Sequence, residues 1–513
     1  MKIKCGSITV FAALSIMLIA AVLFTFVEAG RTVQLKRVAK RNADSAMESM
    51  FARYQIPLWE KYHLLGLDGS NEMGQLALSE QEIFIKDIAE KNVKNSQILK
   101  KASLNLLRIR LEAANFEQYT FLTDGEGRVF QELVSSYMKE YAPAMILKEL
   151  QDQCAMVEEL SSKVGEPEKK REAVLELSEK AKSSKGVNND SQETNGSDKP
   201  LANEEVTQSL EKTTCDNPIK KVEAIEKKGI LNLVLEKTAE VSQKEIHNPK
   251  TLLSRREKTA GVKYDYPEGN ITDKILMEEY FQEVFCSFDK VVEQNTDSRE
   301  LSYEIEYLLE GKMSDRENLK EVAEKLVGIR EVANLTYLLT DGMKISQAES
   351  LAITLAGVTA NPVIVEIVKL GILASWAYSE SILDVRALLK GYKVAIIKTR
   401  EEWTLDIANI GTIGDTFAIA KECKNGITYS QYISSLIMLQ PLKSIANRAL
   451  DLTERSIQQN SGYEHVHLDQ IIVQATVNFQ YDWKSIFLGI GSIGRGKNQK
   501  FAYGYEAQYA YYN

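Results

Sequence analysis

The amino-acid sequence predicts an α+β protein. An N-terminal transmembrane helix extends into a mostly helical soluble region, and an antiparallel β unit lies at the C-terminus. Three observations predict this class: an uncharged apolar run near the N-terminus, helical signals through the second half, and alternating apolar and polar residues near the end. The 513 residues are 44% hydrophobic and 26% charged, a composition typical of a globular protein with enough apolar material for a core.

The charge and the cysteines exclude some classes of function. The net charge of −9 at pH 7 argues against nucleic acid as a partner, because phosphate binding needs a concentrated basic face. The five cysteines are scattered, and their spacing shows neither a disulfide framework nor paired metal ligands: Cys5, Cys154, Cys215, Cys286 and Cys423. We interpret them as small core residues or unreactive thiols.

Residues 8–27 form the predicted transmembrane helix. About 20 apolar residues with a rise of about 1.5 Å each match a hydrocarbon core roughly 30 Å thick. A cleavable signal peptide has a shorter apolar run and a small-residue cleavage site. This run is instead followed by Glu28 and a basic stretch, so we favour an uncleaved anchor over a cleaved signal.

The charges on the two sides of this helix disagree about its orientation. Lys2 and Lys4 precede the span, and five basic residues follow it: Arg31, Lys36, Arg37, Lys40 and Arg41. The positive-inside rule, applied to the second group, places the soluble region in the cytoplasm. Very short N-termini usually stay inside, however, and large domains translocate despite nearby charge. Local charge and chain architecture therefore disagree, and together they leave the location of the soluble region open.

Glu28 is a candidate for an ion pair at the membrane edge, since it closes the apolar run. It either lies in water among the headgroups or pairs with a basic group on a partner helix. Further on, Ala39, Ala43, Ala46 and Met50 form one stripe of a continuing α-helix. These small residues allow close packing, either on the protein's own domain or on a neighbouring subunit.

Composition divides the chain into predicted segments. They are an anchor (1–30), a helix extension with the first part of the soluble domain (31–160), a polar, disordered insertion (161–222), a mainly helical domain (223–460) and a C-terminal β unit (461–513). Residues 183–203 have too little apolar content to offset the entropy of ordering. The apolar residues of 231–241 predict that the chain rejoins the fold there.

Local patterns in the first soluble segment predict a strand, a turn and a helix in succession. Apolar and polar residues alternate over 106–113, which is typical of a strand. Residues 123–127 contain two glycines and an aspartate, which favour a turn. Residues 129–150 have helical character.

Helical signals dominate the second half. Ser314 followed by Glu317 is a capping box, which predicts the start of a helix that ends near residues 341–342. Residues 351–378 are apolar enough for a membrane span, but Pro362 interrupts them, and Glu366 and Lys369 follow. Because charges at membrane depth are costly, we predict two buried helices with Pro362 in the first turn of the second.

The C-terminal residues change to a period of two. Residues 473–481 alternate as a strand with a polar outer face, and aromatic residues alternate over 501–512. Between them, Gly489, Gly491 and Gly494 spell a dinucleotide fingerprint, and residues 491–497 spell most of a phosphate-binding loop. Both motifs need a helix to follow, whereas here a strand is predicted. We therefore expect no nucleotide.

The sequence shows no recognisable catalytic constellation. His465 and His467 stand two apart, as metal ligands sometimes do, but no Cys, third His or evident carboxylate accompanies them. We interpret both as structural or surface residues. Neither a nucleophile elbow nor a His-Glu-x-x-His motif occurs. The prediction is therefore no catalytic residue, no metal ligand, no cofactor and no enzymatic activity.

Several stretches resemble a family of uncharacterised bacterial membrane proteins related to the TadE/TadG-like pseudopilins. They are residues 6–31, 44–59, 303–320, 375–391 and 428–440. The resemblance implies an association with tight-adherence (Flp-type) pilus machinery. It also implies that the N-terminus lies inside and the soluble region outside.

The resemblance further implies a candidate processing site. Such pseudopilins are cut by a prepilin peptidase after a glycine, with a glutamate five residues beyond. Gly6 and Ser7 flank the corresponding bond, but Phe11 stands where the glutamate is expected. TadG-like members that remain as membrane anchors are therefore the closer analogy.

The expected function is that of a non-enzymatic, single-span envelope protein in a pilus system. The expected partners are the lipid bilayer and other membrane proteins of that system, with neither nucleic acid nor nucleotide. The alternative is a surface-anchored adhesin or a ligand-binding sensor. In that alternative the aromatic C-terminal strands form the contact face.

Overall fold

The computed structural model describes residues 6–71, 73–96, 108–141, 217–261, 271–291, 299–356, 362–486 and 500–512. It confirms the α+β class: a long apolar N-terminal helix, a largely helical body and an antiparallel sheet completed by the C-terminus. The disorder predicted for residues 183–203 and the glycine-rich residues 489–497 lie outside the described residues, as do residues 161–216 of the predicted insertion.

Two compact units interleave along the chain. The first consists of Met1–Tyr141, Lys250–Glu268 and Ala449–Asn513, and the second consists of Ala142–Pro249 and Gly269–Arg448. The segments predicted from composition are contiguous, whereas each unit is assembled from separated parts of the chain. Long-range packing, which composition does not encode, defines these units.

The first unit combines helices with one sheet. Its elements are α1 (Gly6–Phe51), α2 (Ile56–Tyr62), β1 (Leu67–Asp68), α3 (Leu78–Ser96), β2 (Ile109–Phe121), α4 (Asp124–Tyr141), β3 (Ile471–Lys484) and β4 (Lys500–Ala510). The strand predicted over 106–113 is present as the start of the longer β2. The turn predicted over 123–127 is also present, because Gly125, Glu126 and Gly127 have positive φ before the regular part of α4.

β3 is the central strand of the sheet. It pairs antiparallel with β2 along one edge, and with β4 and the short β1 along the other. The predicted antiparallel pairing of the two C-terminal strands is thus confirmed. The polar outer face predicted for β3 is only partly present, since Thr476 is buried and Gln480 is exposed. Because β3 has a neighbouring strand on both edges, its polar side chains are less exposed than the alternation of apolar and polar residues predicts.

The second half of α1 packs against α3 and β4. Ala39, Ala43, Ala46 and Met50, the stripe predicted from the sequence, are each 0% exposed and belong to one core cluster with residues of the sheet. Of the two packing partners considered, the structure shows the protein's own domain. The small side chains allow the helix to lie close to the sheet.

The second unit is built from helices. They are α5 (Pro218–Glu226), α6 (Ile230–Val234), α7 (Ile271–Val284), α8 (Glu304–Glu310), α9 (Asp315–Leu338), α10 (Gly342–Ala356), α11 (Pro362–Leu389), α12 (Tyr429–Leu439) and α13 (Leu442–Gln458). The division between the units falls after Arg448, within α13. α9 and α11 supply much of the core of the second unit. α10 packs on α11 and buries Ala348, Ala352 and Leu355.

The predicted helix boundaries in this unit are confirmed at two positions. Ser314 caps α9, and its Oγ accepts a hydrogen bond from the Glu317 N–H at 3.3 Å. Pro362 is the first residue of α11, where its missing N–H costs nothing. The apolar stretch between residues 351 and 378 is thereby divided between α10 and α11, as predicted.

Two described helices are long and apolar enough to cross a membrane. In the most apolar window of the N-terminal helix no residue is buried within the protein, whereas in the window within Pro362–Leu389 the buried share is 56%. The predicted burial of α11 is therefore confirmed for its second half. The N-terminal helix fits a single membrane span or signal anchor.

Candidate functional site

The apolar part of α1 presents a continuous hydrophobic surface. Its exposed large side chains range from 48% exposed at Val22 to 74% exposed at Ile8. Soluble proteins rarely expose so long an apolar surface. The length and the exposure of residues 8–27 fit a single membrane span or a signal anchor.

Glu28, the predicted membrane-edge residue, is 2% exposed. Its Oε1 lies 2.6 Å from Nη1 of Arg31, one turn along α1. The same Nη1 donates to the carbonyl of Lys484 at 3.1 Å, and the Ile486 N–H donates to Oε2 of Glu28 at 3.1 Å. The ion pair therefore joins the end of the apolar run to the end of β3. Its partner is Arg31 of the same helix, and its place at the membrane edge stays a prediction.

Tyrosine rings of β4 lie along α1 beyond this ion pair. Lys36 Nζ is 5.3 Å from the centroid of the Tyr503 ring, and Lys40 Nζ is 5.6 Å from that of Tyr505. Such cation–π contacts contribute about 0.5–1 kcal/mol each when exposed. The hydroxyl of Tyr505 also donates to Oδ1 of Asp44 at 3.0 Å, and burial together with this carboxylate raises the pKa of Tyr505 to about 12.

The end of α1 is held by the last aromatic residues of the chain. The rings of Phe51 and Tyr509 stack with centroids 4.5 Å apart. The hydroxyl of Tyr511 donates to the carbonyl of Phe51. The alternating aromatic residues that the sequence singled out thus contact the anchor helix over its whole second half.

Gly6 and Ser7, the candidate processing site, lie at the start of α1. The surroundings of their side chains lie outside the described part of the chain. Cleavage between them stays a prediction. The structure brings neither residue together with Glu28, which follows about six helical turns later.

A second group of side chains in the first unit has the composition of a metal site. Among the described residues, Glu454, His467 and Asp469 each offer one ligand atom, and these atoms lie within 4.8 Å of one another. However, Nη2 of Arg256 lies 2.8 Å from Glu454 Oε2 and 2.8 Å from Asp469 Oδ1. The guanidinium already supplies the positive charge that a metal ion would bring.

Backbone N–H groups donate further hydrogen bonds to the carboxylates of this group. The Leu468 N–H donates to Glu454 Oε2 at 2.8 Å, and the Thr259 N–H donates to Asp469 Oδ2 at 2.8 Å. Burial raises the pKa of Glu454, but its polar partners, including Arg256, lower it more, so the net pKa lies below the ordinary value. We interpret the group as an ion-pair clamp that fixes residues 250–261 to α13 and to the start of β3.

The second unit contains a network of charges in its interior. Nη2 of Arg330 lies 2.9 Å from Asp384 Oδ2, and Lys398 Nζ lies 2.5 Å from Asp384 Oδ1 and pairs with Glu380 as well. These side chains are 0–1% exposed. A substrate has no access to groups buried in this way, so the network is a structural core.

The two described buried cysteines have the properties of unreactive thiols. Cys286 and Cys423 are free and buried. Burial raises the pKa of Cys286 to about 12. Because the thiolate is the nucleophile, a thiol that stays protonated at neutral pH is a poor one. This agrees with the interpretation made from the sequence.

Residues 208–483 match a family of unknown function, DUF5702. The match covers just over half of the 513 residues. The chain belongs to this family. Comparison with the curated proteins and with the solved structures found no match.

The DUF5702 region contains the buried charges of the second unit. Three of the blocks that carried the family resemblance lie inside it, and they supply Asp315, Asp384 and Tyr432 among other buried polar groups. Nη1 of Arg330 donates a hydrogen bond to the hydroxyl oxygen of Tyr432 at 2.9 Å. These blocks therefore supply part of the core of the second unit. The helix α1 precedes the matched region.

Sequence reasoning found Glu28 and missed the clamp. Glu28 stood out because it ends an uncharged run, which is a local signal. Glu454, which lies beside His467, is on α13, and Arg256 comes from a third segment of the chain. The sequence showed no evident carboxylate partner for His467, because the partner is close only in the folded protein.

Proposed function

We propose that this DUF5702 protein is a non-enzymatic, single-span cell-envelope protein that assembles, anchors or forms a minor part of a tight-adherence (Flp-type) pilus system. The observation that carries the proposal is the continuity of α1. One helix of 46 residues begins in an exposed apolar run and ends packed on the sheet. The resemblance of residues 6–31 and 44–59 to TadE/TadG-like pseudopilins is the reason for proposing a pilus system.

A continuous helix fixes the first unit with respect to the bilayer. At about 1.5 Å per residue, the 46 residues of α1 span about 69 Å. No loop separates the apolar run from the docked half, and the Glu28–Arg31 pair holds the junction to β3. A rigid connection of this kind suits a protein that positions other subunits at a membrane.

The charged groups support a non-enzymatic role. The clamp around Arg256 stabilises the first unit, and the network around Arg330 stabilises the second; in each, the cations are paired with carboxylates of the same unit. Neither combines an accessible cleft with an activated nucleophile or base, which catalysis requires.

The basic stretch after the span is compatible with the proposed outside location. Arg31 pairs with Glu28, and Lys36 and Lys40 lie over tyrosine rings. These three residues therefore have structural reasons to be basic that do not depend on topology. Protease accessibility on intact cells and on spheroplasts tests the orientation: digestion of the soluble region in intact cells or spheroplasts supports it, and full protection contradicts it.

Deletion of the gene and imaging of surface filaments test the function. We expect fewer or no filaments, restored by the wild-type chain. Gly30→Pro should fail to restore them although it reaches the membrane, since proline within a helix costs about 3 kcal/mol or more. Gly30→Ala is the matched control, because a Cβ at Gly30 meets nothing within 4 Å. Normal filaments in the deletion strain would show that the proposal is wrong.

The contacts of β4 favour this proposal over the adhesin or sensor alternative. The tyrosine rings lie against α1, and the opposite face of β4 exposes Ala502, Gly504, Glu506 and Gln508. Such a face lacks the aromatic groups that the alternative needs. Pull-down with the full chain distinguishes them: pilus-system partners support the proposal, and host or cell-wall ligands support the alternative.

A further inference from the structure

β4 is an edge strand of the sheet, since it pairs with β3 along one edge only. Just after β4, the Tyr511 N–H donates to the Val473 carbonyl at 3.1 Å, so the odd-numbered residues turn their N–H and C=O groups toward β3. Because these groups alternate in direction along an antiparallel strand, the even-numbered residues of β4 turn theirs outward. The exposed members of this set are Ala502, Gly504, Glu506 and Gln508. The described residues supply no backbone hydrogen-bond partner for these outward groups.

The outer edge of β2, at the opposite side of the sheet, is protected. The side chain of Glu82 on α3 accepts a hydrogen bond from the Phe116 N–H at 2.9 Å, and Lys86 Nζ donates to the Glu112 carbonyl at 3.1 Å. The pairing of β2 with β3 also has three register shifts, and such irregularities discourage the addition of a further strand. The protein therefore occupies part of this edge with its own side chains.

β4 lacks these protective features. The pairing of its 11 residues with β3 has no register shift. The strand contains no proline, and its charged residues are Lys500 and Glu506. Lys500 is the first residue of the strand and is paired with Asp482 of β3 at 3.0 Å. A long and regular edge without protection is a template for another strand.

Positive charge lies beside this edge. Lys36 and Lys40 of α1 are exposed, and their Nζ atoms lie 5.3 Å and 5.6 Å from the ring centroids of Tyr503 and Tyr505. A strand added to β4 continues the sheet, so every second side chain of that strand points to the face on which α1 packs. Acidic side chains at those positions would meet both lysines.

The direction of α1 argues against an antiparallel pair of two β4 strands from two copies of this chain. Lys36 contacts Tyr503, Lys40 contacts Tyr505, and further on Phe51 stacks on Tyr509, so α1 and β4 run in the same direction. In an antiparallel pair of β4 strands the two α1 helices would run in opposite directions. Given the membrane span of the proposed function, on which this inference rests, two chains anchored in one membrane cannot pair in this way.

We propose that the outer edge of β4 binds an extended, acidic segment of a partner protein by addition of a β-strand. The outward N–H and C=O groups of β4 form main-chain hydrogen bonds with the segment and give affinity. Lys36 and Lys40 select acidic side chains on the face that α1 covers. The four described strands of the sheet thereby gain a fifth strand beside the anchor helix.

The test uses the full chain, purified in detergent, and a fluorescein-labelled peptide of five threonine–glutamate repeats, with binding measured by fluorescence anisotropy. We expect the wild-type chain to bind the peptide, and Gly504→Pro to weaken binding at least tenfold. Proline removes an outward N–H that β3 does not use, so β4 itself is retained. Gly504→Ala is the matched control and should bind within twofold of the wild-type chain, because the nearest atom to an added Cβ is Asn478 Oδ1, at 3.8 Å.

Changes in the peptide test the same contacts and leave the protein unaltered. Of the two alternate sets of peptide nitrogens, methylation of one should abolish binding and methylation of the other should not, since only one set faces β4. Replacement of glutamate by lysine should weaken binding at least tenfold. Lys36→Gln/Lys40→Gln should weaken binding of the glutamate peptide at least threefold, whereas Arg37→Gln/Arg41→Gln, at exposed positions of the same helix, should not.

No binding by the wild-type chain, equal binding by Gly504→Pro, or equal binding of the lysine peptide would overturn the proposal. Self-association of the wild-type chain that Gly504→Pro abolishes, measured by analytical ultracentrifugation, would also overturn it, because the edge would then belong to a second copy. The melting temperature checks that each variant is folded. Peptide binding by a chain whose deletion leaves the filaments normal would reject the proposed function and retain this inference.

Discussion

Arg330 shows how a buried charge is accommodated in the DUF5702 fold. Its guanidinium donates to Asp384 from Nε at 3.0 Å, to the Ile396 carbonyl at 2.8 Å and to the Tyr432 hydroxyl at 2.9 Å. Each partner comes from a different part of the second unit. A single side chain on α9 thereby links α11, α12 and the segment between them.

Removing the Arg330 guanidinium should leave the buried carboxylate of Asp384 with less positive charge beside it. We expect Arg330→Met to lower the free energy of unfolding by about 3–5 kcal/mol, as for other broken buried pairs. The measurement is urea unfolding of the full chain in detergent. Lys320→Met is the control on the same helix, because Lys320 and Glu324 form an exposed pair at 3.5 Å and should contribute at most about 1 kcal/mol. Equal losses would contradict the interpretation of a structural core.

Glu306 makes the stability of the second unit depend on pH. It is 0% exposed and accepts from the Tyr429 hydroxyl at 2.7 Å and the Phe288 N–H at 2.9 Å. Burial raises its pKa from about 4.5 to about 7. Burial also raises the pKa of Glu278 to about 7. Between about pH 4.5 and pH 7, these two carboxyl groups stay protonated in the folded chain and are ionised in the unfolded chain.

Stability should therefore fall as the pH rises from about 4.5 to 7. The slope is about 1.4 kcal/mol per pH unit for each such proton. We expect Glu306→Gln to roughly halve the difference in unfolding free energy between pH 5 and pH 8, with Glu278 supplying the rest. Unfolding curves recorded at several pH values measure this difference. The exposed change Glu324→Gln should leave the slope as it is, and an unchanged slope in Glu306→Gln would be evidence against this cause.

At the scale of elements, α1 has two halves with opposite surfaces. Its first half exposes large apolar side chains, and its second half buries a stripe of small ones against α3 and β4. The size and position of the side chains determine which part meets lipid and which part meets the sheet.

The small stripe predicts the result of enlarging one side chain. We expect Ala43→Leu to destabilise the docking of α1 by about 1–3 kcal/mol, because added methylenes do not fit a close-packed contact. The thermal midpoint and the rate of limited proteolysis in the first unit report the change. Glu48→Leu, at an exposed position of the same helix, is the control. If both variants behaved alike, close packing of the stripe would not be the reason for its small residues.

At the scale of the whole molecule, two helices compete for the role of membrane span. Residues 8–27 are exposed within the structure, whereas α11 is buried from about Gly371 onward. Lys369 and Glu366 form an ion pair at 2.5 Å in the first half of α11. Burial within the protein therefore distinguishes α11, a core helix, from the N-terminal helix, which fits a membrane span or a signal anchor.

Membrane extraction tests this assignment. We expect Leu14→Lys/Leu18→Lys to release the chain from membranes at alkaline pH, because each lysine near the centre of a span costs about 2.5–3.5 kcal/mol. Val363→Lys/Leu370→Lys, at exposed positions of α11, should leave membrane retention unchanged. If the α11 variant were released from membranes and the N-terminal variant were retained, the assignment of the two helices would be reversed.

Local features of the fold were predictable from the sequence, and most of the site was not. The Ser314 cap and the start of α11 at Pro362 depend on neighbouring residues, so a short window contains the signal. Glu28 was recognisable for the same reason. Arg256 and Glu454 are 198 residues apart, and neither has a neighbour that marks it.

The sequence by itself determined the length of the apolar run, the period of two over residues 473–481 and the net charge of −9, which argues against nucleic acid as a partner. These properties are set by residue type and spacing along a few turns or strands. The tertiary structure decided that β3 is central, that Glu28 pairs with Arg31 beside Lys484, and that the tyrosines of β4 face α1. Each of these depends on which distant segments pack together, and that choice minimises the free energy of the whole chain rather than of any local stretch.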